Sequence, residues 1–103
     1  MAVAKFVRPA LIIQNDLDNG RLLNTIVVMI TSRTHRAARE PTQLLIDITT
    51  PEGKQSGLIM NSAVNCANLF TVGQTKVLRV LGRLPPSLLN KVESCLKVAL
   101  SLS

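Results

Sequence analysis

The segment from residue 24 to residue 31, Asn-Thr-Ile-Val-Val-Met-Ile-Thr, constrains the fold of this chain more than any other segment. Its β-branched residues favour an extended backbone, and its nearly continuous apolar character predicts a central strand buried on both faces. Such a strand needs neighbours, and similar apolar runs occupy residues 10–15, 42–49, 63–72 and 76–81. The sequence therefore predicts a sheet whose strands extend over most of the chain.

The last segment has the pattern of an amphipathic helix. Residues 85–87, Pro-Pro-Ser, precede it, and proline is well tolerated in the first turn of a helix. Apolar residues then recur at steps of three and four, at Leu88, Leu89, Val92, Cys95, Leu96, Ala99 and Leu100. Turn-forming or polar residues fill 15–20, 32–41 and 50–57, which we interpret as loops. This order predicts one domain over residues 1–103, a small barrel or curled sheet closed by a helix.

The chain is strongly basic and poor in aromatic residues. Twelve Lys and Arg residues oppose six Asp and Glu residues, and the formal net charge of +6 favours an anionic partner. The chain has no Trp or Tyr, and Phe6 and Phe70 are too few for a platform that stacks several bases of a single-stranded nucleic acid. Recognition of a nucleic acid would therefore depend on phosphates, hydrogen bonds and shape.

The polar segment 32–41 concentrates part of this positive charge. It places three guanidinium groups, at Arg33, Arg36 and Arg39, around the only histidine, His35. Clustered guanidinium groups bind phosphate, and an imidazole can also act as a general acid or base. A solvated loop explains the same residues, so both interpretations remain open from the sequence.

The sequence has no pattern typical of a metal site or a membrane segment. Cys66 and Cys95 form no Cys-x-x-Cys pair, and we interpret them as small core residues. The acidic residues also lack metal-ligand spacing, so we expect no metal and no cofactor. The longest apolar run, residues 26–30, is far shorter than the roughly 20 residues of a membrane span, and no signal-peptide pattern is present. We expect a cytoplasmic protein that does not engage a membrane.

Three motifs occur in order along the chain. Residues 8–16 read Arg-Pro-Ala-Leu-Ile-Ile-Gln-Asn-Asp, residues 26–32 read Ile-Val-Val-Met-Ile-Thr-Ser, and residues 80–85 read Val-Leu-Gly-Arg-Leu-Pro. This set resembles the MazF/PemK family of toxin endoribonucleases, whose elements are Arg-Pro-x-Leu-Val-Ile-Gln-Asn-Asp, Val-Ala-Pro-Ile-Thr-Ser and Ile-Gly-x-Leu-Ser-Pro. The resemblance extends over residues 7–102, which is nearly the whole chain.

The resemblance implies a fold and an activity. The fold is a mostly β, SH3-like curled barrel of the CcdB/PemK type with a C-terminal helix, and it works as a homodimer. The activity is metal-independent cleavage of single-stranded RNA to 2′,3′-cyclic phosphate and 5′-hydroxyl ends. Such cleavage inhibits growth, and an antitoxin protein blocks the RNA groove.

The resemblance also implies the catalytic positions. They are Arg8 of the Arg-Pro element and Thr31 of the Ile-Thr-Ser element. A guanidinium can stabilise the charge on the transition-state phosphate, and a hydroxyl can hold the phosphate in line or relay a proton. We further predict RNA contacts for Gln14, Ser32, Arg33, His35, Arg36, Arg39 and Asn68.

The chain also departs from the family pattern. Only residues 1–7 precede Arg8, so we expect the family's first strand and its glycine-rich loop to be missing. Ala67 and Phe70 stand where the family has polar or charged residues. Three hypotheses follow: an active endoribonuclease toxin, an inactive truncated homologue that acts as a protein-interaction module, and a general nucleic-acid binder that uses the basic loop.

Overall fold

The structure is a computed structural model that describes residues 1–102. Its strands are β1 (Ala2–Lys5), β2 (Pro9–Ile12), β3 (Asn24–Thr31), β4 (Gln43–Ile46), β5 (Ser62–Gly73) and β6 (Arg79–Arg83). Its α-helices are α1 (Asp16–Arg21), α2 (Pro51–Gln55) and α3 (Pro86–Ala99), and a 3-10 turn (Gln74–Lys76) precedes β6. This mostly β architecture with a C-terminal helix confirms the predicted fold class.

The strands form one antiparallel sheet in the order β4-β5-β3-β2-β1-β6. The strand predicted as central, β3, has the predicted bounds and lies between β5 and β2. Its pairing with β5 shifts at a bulge between Val28 and Met29. Because a bulge strengthens the local twist of a sheet, it helps this sheet to curl.

The helix α3 covers one face of the sheet, where it packs against β4 and β5. Its apolar stripe buries Leu88, Val92 and Cys95, which confirms the predicted amphipathic helix. The sheet contributes the other half of this core, with Val3, Leu11, Val28, Ile30, Ile46, Val64 and Cys66. Both cysteines are free thiols in this core, as predicted, and burial raises the pKa of Cys66 to about 12.

The N-terminal residues form strand β1, so the expectation of a missing first strand was wrong. This strand pairs with β2 on one side and with β6 on the other. Val3 and Ala4 are fully buried, which makes β1 part of the core rather than an extension. Four residues, two of them Ala, give too short a pattern to predict a strand, and half of the pairing comes from the distant β6. The connection from β1 to β2 consists of only the three residues 6–8.

Two segments interpreted as loops begin with helix caps instead. The Asn15 side chain accepts a hydrogen bond from the Asp18 N–H at 2.8 Å and starts α1. The Thr50 hydroxyl accepts one from the Gly53 N–H at 3.0 Å and starts α2, with Pro51 in its first turn. Residues that form turns also cap helices, so composition alone did not separate these two outcomes.

Two glycines allow the chain to curl tightly at β6. A Cβ on Gly82 would lie 2.3 Å from the carbonyl oxygen of Gln55, closer than any side chain tolerates. Gly57 has a φ of 74°, and a Cβ there would lie 2.0 Å from the carbonyl oxygen of Leu81. The end of α2 therefore rests directly on the backbone of β6 and closes one side of the curled sheet.

Candidate functional site

A cavity of about 980 Å³ opens where the ends of β1, β2 and β3 meet the loop after β3. We call it the groove. Of the nine residues predicted from the sequence to serve catalysis or RNA binding, seven line it. They are Arg8, Thr31, Ser32, Arg33, His35, Arg36 and Asn68. The fold thus brings together side chains that are up to 60 positions apart in the sequence.

The two predicted catalytic residues lie at the ends of neighbouring strands. Arg8 precedes β2, and Thr31 is the last residue of β3. The register of these strands pairs Ala10 with Met29, and its extension by two residues places Arg8 opposite Thr31. The Thr31 hydroxyl accepts a hydrogen bond from the Arg33 N–H at 3.1 Å, which fixes its oxygen and leaves its hydrogen available to a ligand.

The groove is lined by positive charge without acidic compensation. Five of the twelve Lys and Arg residues of the chain line it, namely Lys5, Arg8, Arg33, Arg36 and Arg79, and none of the six Asp and Glu residues does. Within the described chain, the one side-chain ion pair joins Arg21 and Asp18, outside the groove. A concave surface with charges of one sign concentrates ions of the other sign, so this groove favours a polyanion.

Lys5 and Arg79 also line the groove, although neither stands out in the sequence. Lys5 lies on the unpredicted strand β1, and Arg79 lies on β6 directly opposite Lys5. Their proximity depends on the pairing of two strands from opposite ends of the chain. Gln43 and Asn65 were missed for the same reason, since they line the groove as a cross-strand pair of β4 and β5.

The sequence matches the family described as "PemK-like, MazF-like toxin of type II toxin-antitoxin system" over residues 3–100. The chain belongs to this toxin family. It is 34% identical over 96 residues to endoribonuclease MazF6 of Mycobacterium tuberculosis (strain ATCC 25618 / H37Rv), a match that covers 92% of this chain and 79% of that protein. It is 29% identical over 96 residues to endoribonuclease EndoA of Bacillus subtilis (strain 168), which covers 93% and 78% of the two chains.

Solved structures show the same fold. The Mycobacterium tuberculosis toxin MazF-mt6 superposes with a TM-score of 0.81 at 24% identity and covers 99% of this chain and 96% of its own. An endoribonuclease in complex with its cognate antitoxin, from a mycobacterial species, superposes with a TM-score of 0.79 at 23% identity over 99% and 91% of the two chains. The resemblance to the MazF/PemK family is therefore confirmed for both sequence and fold.

Two of the predicted RNA-contacting residues do not line the groove of this family member. The Gln14 amide donates hydrogen bonds of 2.9 Å to the Asn19 side chain and to the Asn24 carbonyl oxygen, which ties α1 to the start of β3. Arg39 is the last residue of the turn that begins at His35. It is exposed and does not line the groove.

An apolar cavity of about 410 Å³ adjoins the groove. It brings together both phenylalanines of the chain, Phe6 and Phe70, and shares Val7, Arg8 and Met29 with the groove. Phe70 is 43% exposed and Val7 is 92% exposed, so apolar surface is open to solvent directly beside the predicted catalytic arginine. Exposed apolar surface next to a functional site is typical of a region that contacts another protein.

Two further properties bear on the function. Among the described residues, no three His, Cys, Asp or Glu side chains come together in a way that could hold a metal ion. None of the helices within residues 1–102 has the length and apolar character needed to cross a membrane.

Proposed function

We propose that this toxin-family chain is a metal-independent endoribonuclease that cleaves single-stranded RNA in the cytoplasm and thereby inhibits growth. The observation that carries the proposal is the convergence of Arg8 and Thr31 in a groove with five cations and no carboxylate. A polyanion fits this groove, and the related proteins named endoribonucleases supply the reaction class.

The proposed reaction is an intramolecular transesterification that breaks the RNA backbone. The 2′-oxygen attacks the adjacent phosphorus, the bond from phosphorus to the 5′-oxygen breaks, and the products are a 2′,3′-cyclic phosphate and a 5′-hydroxyl. Negative charge grows on the nonbridging oxygens, and the Arg8 guanidinium is suited to stabilise it through charged hydrogen bonds. Thr31 donates a hydrogen bond that holds the phosphate in line with the attacking oxygen.

Two protons move in this reaction. One leaves the 2′-hydroxyl, and one reaches the departing 5′-oxygen. An arginine is a poor base because its pKa lies above about 12, so Arg8 does not accept the first proton. His35 is the only imidazole in the groove, and imidazole is the side chain most often used for proton transfer. We assign removal of the 2′-proton to His35, and the departing 5′-oxygen takes its proton from solvent water.

The experiment is cleavage of a long single-stranded RNA by the purified chain in EDTA, with the new 5′-hydroxyl ends mapped. We expect cleavage by the wild type and a loss of kcat of about 10²–10³-fold in Arg8→Ala and about 10²-fold in Thr31→Val. Lys91→Gln is a matched control for removal of a positive charge because Lys91 is exposed on α3, outside the groove. Absence of cleavage for all RNA sequences tried would contradict the proposal.

The exposed apolar cavity at Phe6 and Phe70 favours a second candidate, a non-catalytic interaction module on the same fold. It predicts tight binding to a partner protein without RNA cleavage. The mapped 5′-ends separate the two candidates, because an interaction module produces none.

We also propose that the chain acts as a homodimer and that an antitoxin protein binds it at the groove. The open apolar surface beside Arg8 and the unpaired groove cations would suit an antitoxin segment that carries both apolar and acidic residues. Light scattering of the purified chain tests the dimer. Competition between RNA and an acidic peptide that also carries apolar residues tests the shared surface.

A further inference from the structure

Lys5 and Arg79 form an unusual pair on the wall of the groove. They are direct partners in the antiparallel pairing of β1 and β6, so their side chains leave the sheet on the same face. Both line the same cavity as Arg8 and Thr31. The fold therefore places two positive side chains directly beside each other in the same cavity as the proposed site of cleavage.

We propose that Lys5 and Arg79 form a second phosphate subsite, which binds an RNA backbone phosphate next to the one that is cleaved. This inference rests on the proposed endoribonuclease function and adds to it a site that positions the RNA strand. Neither residue is assigned a part in the bond-breaking step.

The positive groups follow one another across three neighbouring strands, with Arg8 in the turn just before β2, Lys5 on β1 and Arg79 on β6. Arg8 adjoins Pro9, Pro9 pairs with Lys5, and Lys5 pairs with Arg79. Because adjacent strands are about 4.8 Å apart, this row extends roughly 10 Å across the sheet from the cleavage site. A polyanion with a regular spacing of charges can follow such a row.

Like charges directly opposite each other in a sheet destabilise the fold. No acidic side chain of the described residues relieves this repulsion, because the ion pair they contain lies elsewhere and no carboxylate lines the groove. A bound phosphate between the two cations would convert the repulsion into two charged hydrogen bonds. A bound phosphate would therefore relieve a repulsion that the fold itself leaves uncompensated.

The position favours RNA over an acidic protein as the ligand. The pair belongs to the same concave surface as Arg8 and Thr31, so an RNA held at the cleavage site has its next phosphates close by. The apolar cavity that would suit a partner protein adjoins the groove at Val7 and Arg8, and neither Lys5 nor Arg79 lines it.

The experiment compares two double variants that remove the same number of charges. Lys5→Gln with Arg79→Gln removes the proposed subsite, and Lys91→Gln with Lys97→Gln removes two exposed charges of α3. The probe is a short RNA that carries a mapped cleavage site. We expect the subsite variant to raise KM about tenfold with kcat changed less than about threefold, since it weakens binding rather than chemistry. We expect the α3 variant to match the wild type.

A methylphosphonate scan then locates the phosphate that the pair binds. Each phosphate of a non-cleavable form of the RNA, with a 2′-deoxy nucleotide at the cut, is replaced in turn by an uncharged methylphosphonate. In the wild type, one replacement beside the scissile position should weaken binding by several-fold. In the subsite variant that same replacement should have no further effect, which is the coupling expected of direct partners. The slope of log K against log salt should also become shallower by about 0.7, because one phosphate fewer is neutralised.

Thermal unfolding distinguishes a binding role from a structural one. Removing a like-charge pair should leave Tm unchanged or raise it, whereas removing a stabilising interaction would lower it. Equal KM values and equal salt slopes in the two double variants would overturn the subsite while leaving the proposed function intact. A subsite variant that changes antitoxin binding without changing the KM for RNA would also overturn the subsite. A wild-type chain that cleaves no RNA would overturn the proposed function itself.

Discussion

Two regions of this sheet, the helix-covered half and the groove, have different roles. On the helix-covered half, β4 and β5 pack against α3, and Ile46, Val64 and Val92 are fully buried. At the groove, β1, β6 and the turn before β2 carry cations without Asp or Glu partners. The first region contributes much of the buried apolar surface that stabilises the fold, whereas the second holds cations that no Asp or Glu side chain neutralises. A toxin of this size can contain both because a single curled sheet supports them.

The largest effect on folding should come from the helix-covered half. Ile46 is fully buried in the core, whereas its neighbour Leu45 on β4 faces the other way and is 43% exposed. We expect Ile46→Ala to lower the free energy of unfolding by about 2–5 kcal/mol through reduced burial and a cavity. We expect Leu45→Ala to cost less than about 1 kcal/mol. Urea unfolding measures both, and equal losses would contradict the placement of Ile46 in the core and of Leu45 on the outer face of β4.

The next effect tests how the groove wall is built. Gly82→Ala would push a Cβ against the Gln55 carbonyl oxygen, so the backbone must shift, and we expect a loss of about 1–3 kcal/mol in the free energy of unfolding. RNA cleavage should fall as well, because Leu81 and Gly57, which approach each other beside Gly82, line the groove. The control is Gly20→Ala in α1, where no atom lies within 4 Å of the new Cβ.

Alanine is the better helix former, so Gly20→Ala should stabilise the chain by about 0.5–1 kcal/mol and leave cleavage unchanged. A Gly82→Ala chain as stable as wild type would show that the approach of α2 to β6 does not set the curl.

A third effect is a pH dependence of the free energy of unfolding that arises from a buried thiol in the core. Burial raises the pKa of the Cys66 thiol from 9.0 to about 12, with smaller contributions from the neighbouring Cys95. The unfolded thiol loses its proton above pH 9.0, while the folded thiol keeps it until about pH 12. The contribution of the Cys66 thiol to the free energy of unfolding is thus complete below pH 9.0. It is lost between pH 9.0 and about pH 12, by about 1.4 kcal/mol per pH unit.

Urea unfolding of the wild type and Cys66→Ala over this range isolates the contribution of Cys66, since all other groups titrate in both proteins. The wild type should lose stability more steeply. Parallel profiles would mean that Cys66 is more accessible to water than the fold indicates.

The smallest effect on folding is expected for two arginines of one loop, which should differ instead in RNA binding. Both Arg36 and Arg39 are exposed, and only Arg36 lines the groove. We expect Arg36→Gln and Arg39→Gln each to change stability by less than about 0.5 kcal/mol. Binding of RNA should weaken more in Arg36→Gln, with a smaller salt slope. Equal losses of affinity would extend the binding surface beyond the groove.

Sequence patterns predicted the helix-covered half better than the groove. β3 has a nearly continuous apolar signal over eight residues and α3 a periodic one over fourteen, and both form where the sequence places them. β1 has only four residues and depends on β6, which no local pattern can reveal. Short helices such as α1 and α2 begin at Asn15 and Thr50, whose side chains serve turns and caps equally.

The residues of the groove were also predicted where a local sequence signal marked them and missed where only strand pairing brings them together. Arg8, Thr31 and the Arg33–Arg36 segment were recognised because each belongs to a motif or a local cluster of charge. Lys5 and Arg79 stand alone in the sequence and acquire a neighbour only through sheet pairing. Gln14 shows the opposite case, since it belongs to a recognised motif but forms hydrogen bonds to α1 and β3 outside the groove.

The three-residue turn between β1 and β2 has a consequence for how fast an RNA can come and go. Arg8 stands in this turn, which is held by paired strands on both sides and by a 3.1 Å bond from the Phe6 N–H to the Arg8 carbonyl oxygen. The entropy of ordering its backbone is therefore spent during folding rather than at each encounter with substrate. An arm that must fold around RNA would have to unfold again to release its products, and a fixed turn avoids that step in every catalytic cycle.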